Sequence, residues 1–210
     1  SKLITFIFCF NLLQGEGVED ISFRYGFMGQ LQSSPDSIIE LGDKSLVHTG
    51  DAVKINIGYV NDSYFYLIYL DSDGNYFLNL PEDSRDDNKQ DTLYATILQG
   101  GLTNPPGNET FYLLNSNEPM SELTKLLSRY ESAPNKAKIK LAKKIQVELD
   151  ALDPNAKAEL SSIASRLDKP LVGGVTFRGD GDDELKNMSL THECRGTGGI
   201  AFIKIVLNHK

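Results

Sequence analysis

The chain has 210 residues, of which 40% are hydrophobic and 24% charged. That profile suits one folded domain with a core of its own and excludes an intrinsically disordered chain. The net charge of −8 makes a phosphate backbone an unfavourable partner, so no nucleic-acid role is expected. Two cysteines, Cys9 and Cys194, permit at most one bridge and exclude a disulfide scaffold.

At the start of the sequence, Lys2 precedes an apolar run from Leu3 to Phe10, and small residues follow at Gly15 and Gly17. A basic residue, a short apolar run and small residues after it are the marks of a secretory signal peptide, expected over residues 1–17. The competing reading is a buried first strand, which β-branched and aromatic residues also suit. The run is shorter than the roughly 20 residues of a membrane span, so no transmembrane segment is expected. Residues 18–210 then read as a single domain.

Ile21, Phe23 and Tyr25 alternate with polar residues and mark a strand over 21–34, closed by a turn at Ser34-Pro35-Asp36. Ile38 to Leu80 reads as a β-meander. Within it Val53, Ile55 and Ile57 share one face, and Tyr64 to Leu70 is apolar on both faces. A strand of that kind must be covered on both sides. Asp71-Ser72-Asp73-Gly74-Asn75 closes a hairpin into Tyr76–Leu80. Pro81 to Gln90 is a polar loop, and strands follow at Thr92–Leu98 and Thr110–Leu114.

The period then changes. Met120, Leu123, Leu126, Leu127 and Tyr130 form one helical stripe, and Ile139, Ala142, Ile145, Leu149 and Leu152 a second. Leu160, Ile163, Ala164 and Leu167 form a third, with Asp153-Pro154 as its start signal. Residues 119–168 are therefore expected as a helical insertion. Strands return at Leu171–Arg178, Leu190–Cys194 and Ile200–Leu207. Helices grouped between strands predict an α+β fold: an antiparallel β-sandwich-like core with an inserted amphipathic helical block.

Gly50-Asp51-Ala52-Val53, Tyr64-Phe65-Tyr66-Leu67, Asp71-Ser72-Asp73-Gly74-Asn75, Leu80-Pro81 and Pro105-Pro106-Gly107-Asn108-Glu109-Thr110 follow one another in that order. This succession resembles the bacterial domain-of-unknown-function 4384 family over residues 40–120. Asn115-Ser116-Asn117-Glu118-Pro119 matches a further element, and the C-terminal strands resemble the family more weakly. The family has no established activity to carry over. The resemblance implies an extracytoplasmic setting, or attachment to peptidase or kinase modules. The long helical block departs from the family pattern.

Candidate chemistry is sparse. Asp71, Asp73 and Asn75 alternate as the first calcium ligands of an EF-hand loop do, and Glu82 holds the twelfth position. Tyr76, however, stands where that loop needs glycine, and a hairpin turn explains the same residues. Gly179–Glu184 is a second acidic turn. His192 and Cys194 share a strand face but sit about 6.6 Å apart along the backbone, too far for a direct nucleophile–base bond. His48 and His209 have no partner visible in the sequence. Gly196-Thr197-Gly198-Gly199 resembles a phosphate loop, but no helix follows it.

Two binding surfaces stand out. Tyr64 and Tyr66 would make an aromatic platform if exposed, and core residues if not. Lys136, Lys138, Lys140, Lys143 and Lys144 cluster on one helix, as an anion or membrane-surface patch or as a solvated face. The sequence thus predicts no catalytic residues and no required cofactor. It describes a non-catalytic extracytoplasmic domain, periplasmic or secreted, that binds a protein or cell-envelope partner. A hydrolase with an unrecognised site and a calcium-dependent surface protein are the alternatives.

Overall fold

The computed structural model describes residues 20–60, 63–80, 92–152, 159–162 and 192–210. Their strands are β1 (Ile21–Gln30), β2 (Ile38–Glu40), β3 (Leu46–Val47), β4 (Ala52–Val60), β5 (Tyr64–Leu70), β6 (Tyr76–Asn79), β7 (Thr92–Gly101), β8 (Gly107–Ser116), β9 (Glu159–Ser162), β10 (His192–Gly196) and β11 (Ile200–His209). Two helices, α1 (Ser121–Ser132) and α2 (Asn135–Leu152), lie between β8 and β9 in the chain.

The strands form two sheets. The first runs β7-β4-β1-β10-β9, with β2 also paired to β1, and the second runs β3-β11-β8-β5-β6. All pairings are antiparallel except the short parallel contact of β3 with β11. The expected α+β sandwich with a helical block is what the chain adopts.

Alternation along the strands explains the layering. Phe23 and Phe27 on β1, Ile55 and Ile57 on β4, and Phe111 and Leu113 on β8 face inward and make the core between the sheets. Rings lock the sheets together edge-on: Phe27 meets Phe111 at 5.0 Å, and Phe23 meets Phe65 at 5.2 Å. The opposite face of the second sheet carries Tyr66, Ile68, Tyr112 and Phe202, which the helices cover with Leu123, Leu127, Ile145 and Leu149. The protein thus has three layers and two cores, and β5 lies in the middle layer. Each large apolar side chain fully buried in either core contributes roughly 1.5–3 kcal/mol.

The helices are also hydrogen-bonded to the sheet beneath them. The Met120 N–H donates to the Tyr66 hydroxyl at 3.1 Å, and the Tyr76 hydroxyl donates to Gln146 Oε1 at 2.7 Å. Burial raises the Tyr76 phenol well above its ordinary pKa.

Three expectations are corrected. Ile38–Leu80 is not one meander, because β4 and β5 lie in different sheets and only β5–β6 is a hairpin. The physical reason is cover: β5 is apolar on both faces and takes the middle layer, whereas β4 carries Lys54 and Asn56 on the face away from the core. The third helical stripe is not helical where it is described. Glu159–Ser162 is a strand, and its backbone pairs with β10 so that Leu160 lies opposite Cys194. Pairing with an open sheet edge satisfies backbone groups that a short apolar period cannot assign by itself. The described helices accordingly end at Leu152. The first strand ends at Gln30, short of the expected Ser34, where residues 31–37 turn back toward β2. The signal-like segment, the Pro81–Gln90 loop with Glu82, the expected strand over 171–178 and the acidic turn over 179–184 lie outside the described residues.

Candidate functional site

At one end of the sandwich the last residues of β11, the first of β8 and the turn after β3 converge. Glu109 occupies an inward position on β8, in phase with Phe111 and Leu113. His209 occupies an inward position on β11, in phase with Ile205 and Leu207. Both side chains are removed from solvent, and His209 Nδ1 lies 3.1 Å from Glu109 Oε1.

The second oxygen of that carboxyl group, Glu109 Oε2, accepts the Tyr69 hydroxyl at 2.6 Å. Burial, followed by this hydrogen bond, raises the Tyr69 phenol far above its ordinary pKa. The far nitrogen of the ring, His209 Nε2, lies 2.9 Å from Thr49 Oγ1, and that hydroxyl lies 3.2 Å from Asn104 Oδ1 at the surface. The ring thus bridges the two groups, with Nδ1 facing the Glu109 carboxyl and Nε2 facing the Thr49 hydroxyl, which itself donates to Asn104 Oδ1. Tyr69, Glu109, His209 and Thr49 therefore form one hydrogen-bonded line from the interior to the surface.

A hydroxyl, an imidazole and a carboxyl in that order are the parts of a nucleophilic triad. Acyl transfer also needs donors aimed at a developing oxyanion. The nearest backbone donors are already committed to the fold: the N–H groups of Thr49, Gly50 and Asp51 donate to the carbonyls of Lys210, Leu102 and His48. Asp51, itself buried, accepts the N–H groups of Gln32 and His48 at 2.8 Å each. The arrangement ties the sandwich end together and leaves the Thr49 hydroxyl without an oxyanion partner in its own turn.

The structure supplies the partners of His48 and His209 that are not visible in the sequence. His209 bonds Glu109 and Thr49, and His48 Nδ1 lies 3.8 Å from Asp51 Oδ2. A polar residue at an inward position of an apolar strand is the signal that would have found Glu109 and His209. The tripeptide Asn108-Glu109-Thr110 instead reads first as a glycosylation pattern. Nothing in the sequence pairs Glu109 with a residue 100 positions away.

His192 and Cys194 do share the inward face of β10. They face Tyr25 and Phe23 across the pairing with β1. His192 stacks on Tyr25 at 5.2 Å and bonds the Glu40 carboxyl. Cys194 is fully buried, with its sulfur 3.5 Å from the Phe202 carbonyl oxygen. Burial pushes its thiol pKa up to about 12, which keeps it protonated and unreactive at neutral pH.

Asp71 is used by its own turn. Its two carboxylate oxygens accept the Asn75 backbone N–H at 2.7 Å and the Asn75 side-chain amide at 3.1 Å. Gly74 adopts φ +84, which a glycine tolerates at this turn. Asp73 is exposed beside them. Among the described residues no group of three His, Cys, Asp or Glu side chains is placed to hold a metal.

Of the aromatic pair, Tyr66 is buried under α1 and Tyr64 is 44% exposed. They do not form a joint platform, because β5 enters the sheet from Tyr64 onward and α1 closes over Tyr66. The lysines divide as well. Lys136, Lys140, Lys143 and Lys144 are exposed along α2, while Lys138 turns back over the Tyr130 ring at 5.0 Å. No described helix is long and apolar enough to cross a membrane. No family model matches the chain, and neither a curated protein nor a solved structure matches it.

Proposed function

We propose that the chain is a non-catalytic, extracytoplasmic binding or assembly domain that works at the cell envelope. The observation that carries this reading is the closed hydrogen bonding around Thr49. The hydroxyl–imidazole–carboxyl line is present, yet the N–H groups of its own turn are all engaged within the fold. The signal-like start of the sequence and the resemblance over residues 40–120 support the extracytoplasmic setting. Among the described residues Cys194, His192 and His209 are buried or engaged, whereas α2 keeps a basic face open to solvent.

The same line favours one alternative, an acyl-transfer enzyme with Thr49 as nucleophile. The experiment that separates the two compares the pure chain with its Thr49→Ala variant on activated ester and peptide substrates. Equal, background turnover by both proteins is expected. Turnover that disappears with the Thr49 hydroxyl overturns the binding-domain reading. Fractionation of cells producing the full precursor tests the setting, and recovery of the protein only from the cytoplasm overturns that part.

A further inference from the structure

Among the described residues, helix α2 is packed on one side only. Ile145 and Leu149 are buried against the second sheet, and Leu141, Ala142 and Leu152 pack beside them. At roughly 100° per residue, Lys136, Lys140, Lys143 and Val147 fall within about 60° of one another on the side turned away from the domain. Ile139 and Lys144 flank this stripe. Ile139 is 64% exposed and Val147 65% exposed, among the most open large apolar side chains of the described residues. From Lys136 to Lys144 the helix contains no acidic residue.

The charge order along α2 is the reverse of what helix stability favours. The first turn has no acidic residue and the last turn no basic one, with Glu148 and Asp150 in the C-terminal half instead. Lysines at the positive end of the macrodipole and carboxylates at the negative end each weaken the helix. The packing against the sheet tolerates this cost but does not explain it, because the lysines of the stripe make no part of either core.

We propose that this stripe docks the domain on an anionic lipid bilayer surface. The inference rests on the binding-domain reading above and names its partner. Three features favour a lipid surface over other anionic partners. The cations of the stripe are all lysine, and a flexible point charge suits a diffuse anionic surface, whereas arginine forks suit a defined carboxylate or phosphate. The exposed aliphatics lie among the charges, where they can enter the headgroup boundary while the lysine stems extend along it. The face has no aromatic side chain on which a nucleic-acid base would stack.

Lys136, Lys140 and Lys143 span about 10 Å of helix, comparable to a Debye length at physiological salt. Their contributions therefore act together on one patch of membrane. By the same count the exposed Asp150 falls beside Lys143 near the C-terminal end of the helix, so the basic part of the face is the Lys136–Lys144 half.

The test is sedimentation of the full chain with vesicles of phosphatidylcholine alone, and of phosphatidylcholine mixed with phosphatidylglycerol. Binding is expected to the mixed vesicles only, and to weaken steeply with salt. The triple variant Lys136→Gln, Lys140→Gln, Lys143→Gln keeps the fold, since all three side chains are exposed. It should lose affinity by roughly a hundred-fold. No wild-type binding to the mixed vesicles at low salt overturns the proposal, as does undiminished binding by the triple variant. Binding to polyglutamate or single-stranded DNA in preference to vesicles also overturns it, by assigning the face to another partner. Thr49-dependent turnover would sink the binding-domain reading by a separate readout, so the two failures are distinguishable.

Discussion

Glu109 and His209 meet 3.1 Å apart with both side chains shielded from solvent, on neighbouring strands β8 and β11 that are separated by the whole helical block in the chain. Their contact closes one end of the sandwich. It also draws Tyr69 from β5 and Thr49 from the turn after β3 into a single network. At the other end of β8, Asn115 is equally buried and donates through its amide to the Ser22 carbonyl at 3.3 Å. The apolar core is thus bracketed by polar contacts at both ends of one strand.

Removing either partner of the Glu109–His209 contact leaves the other buried without its bond. His209→Ala and Glu109→Ala are each expected to lower unfolding free energy by about 3 kcal/mol. The double variant should lose less than the sum, with a coupling above about 1 kcal/mol in urea denaturation. Strictly additive losses would show that the contact does not form.

Gly196 ends β10 where the chain turns through Thr197, Gly198 and Gly199 into β11 and so passes from the first sheet to the second. A Cβ placed there would come within 1.8 Å of the Ile200 carbonyl oxygen, which is backbone and cannot rotate away. Gly196→Ala should destabilise by about 3 kcal/mol or more, while Thr197→Ala, in the exposed turn, stays within about 0.5 kcal/mol. Equal thermal midpoints for the two variants would contradict the close approach.

Cys194 gives a pH signature. Its folded pKa is raised to about 12 from an ordinary value near 9, so the folded state holds the proton more tightly than the unfolded state. Its contribution is fully present below the unfolded pKa and is lost as pH rises from about 9 through 12. Stability should therefore fall over that window, and less steeply in Cys194→Ala. In a Cys9→Ser background, a disulfide reagent at neutral pH should modify the thiol only after denaturant is added. Rapid labelling of the native protein would refute its burial.

The helical layer is packed on the second sheet and is expected to unfold with it. Leu149→Ala empties a fully buried site between α2 and the second sheet and should cost about 2–5 kcal/mol of global stability. Val147→Ala, on the open face, should cost under about 0.5 kcal/mol. The helical circular dichroism and the near-ultraviolet tyrosine signal are expected to melt together. Earlier loss of the helical signal would show that α1 and α2 are a separate unit.

The Asp71 turn should contribute no calcium-dependent rise in the melting midpoint, because its carboxylate is occupied by Asn75 within the hairpin. Asp71→Ala should lower stability by about 1 kcal/mol through the lost turn bonds. A calcium-dependent rise in midpoint that Asp71→Ala abolishes would assign the turn to the metal instead.

The strands were legible where side-chain alternation is strong. Val53, Ile55 and Ile57 point to one core, and the doubly apolar β5 required two covered faces and received them. The hairpin at Asp71–Asn75 was legible from turn chemistry alone. Leu160 fits a helical stripe in sequence because the four residues of β9 carry too short a period to separate helix from strand. Glu109 and His209 stand out locally as polar residues in phase with apolar ones, but their pairing with each other and with Thr49 is not legible, since the three are far apart in the chain.

The amino-acid sequence by itself determined the apolar faces of β4, β5, α1 and α2 and the turn at Asp71–Asn75, because these depend on neighbours within a few positions. Only the tertiary structure decided that β4 and β5 part into different sheets, that Tyr66 is sealed beneath α1, and that residues 49, 69, 109 and 209 share one hydrogen-bonded line. Those outcomes follow from long-range strand pairing and burial. Which strand pairs with which depends on how all the apolar surfaces are covered at once, and no local pattern contains that information.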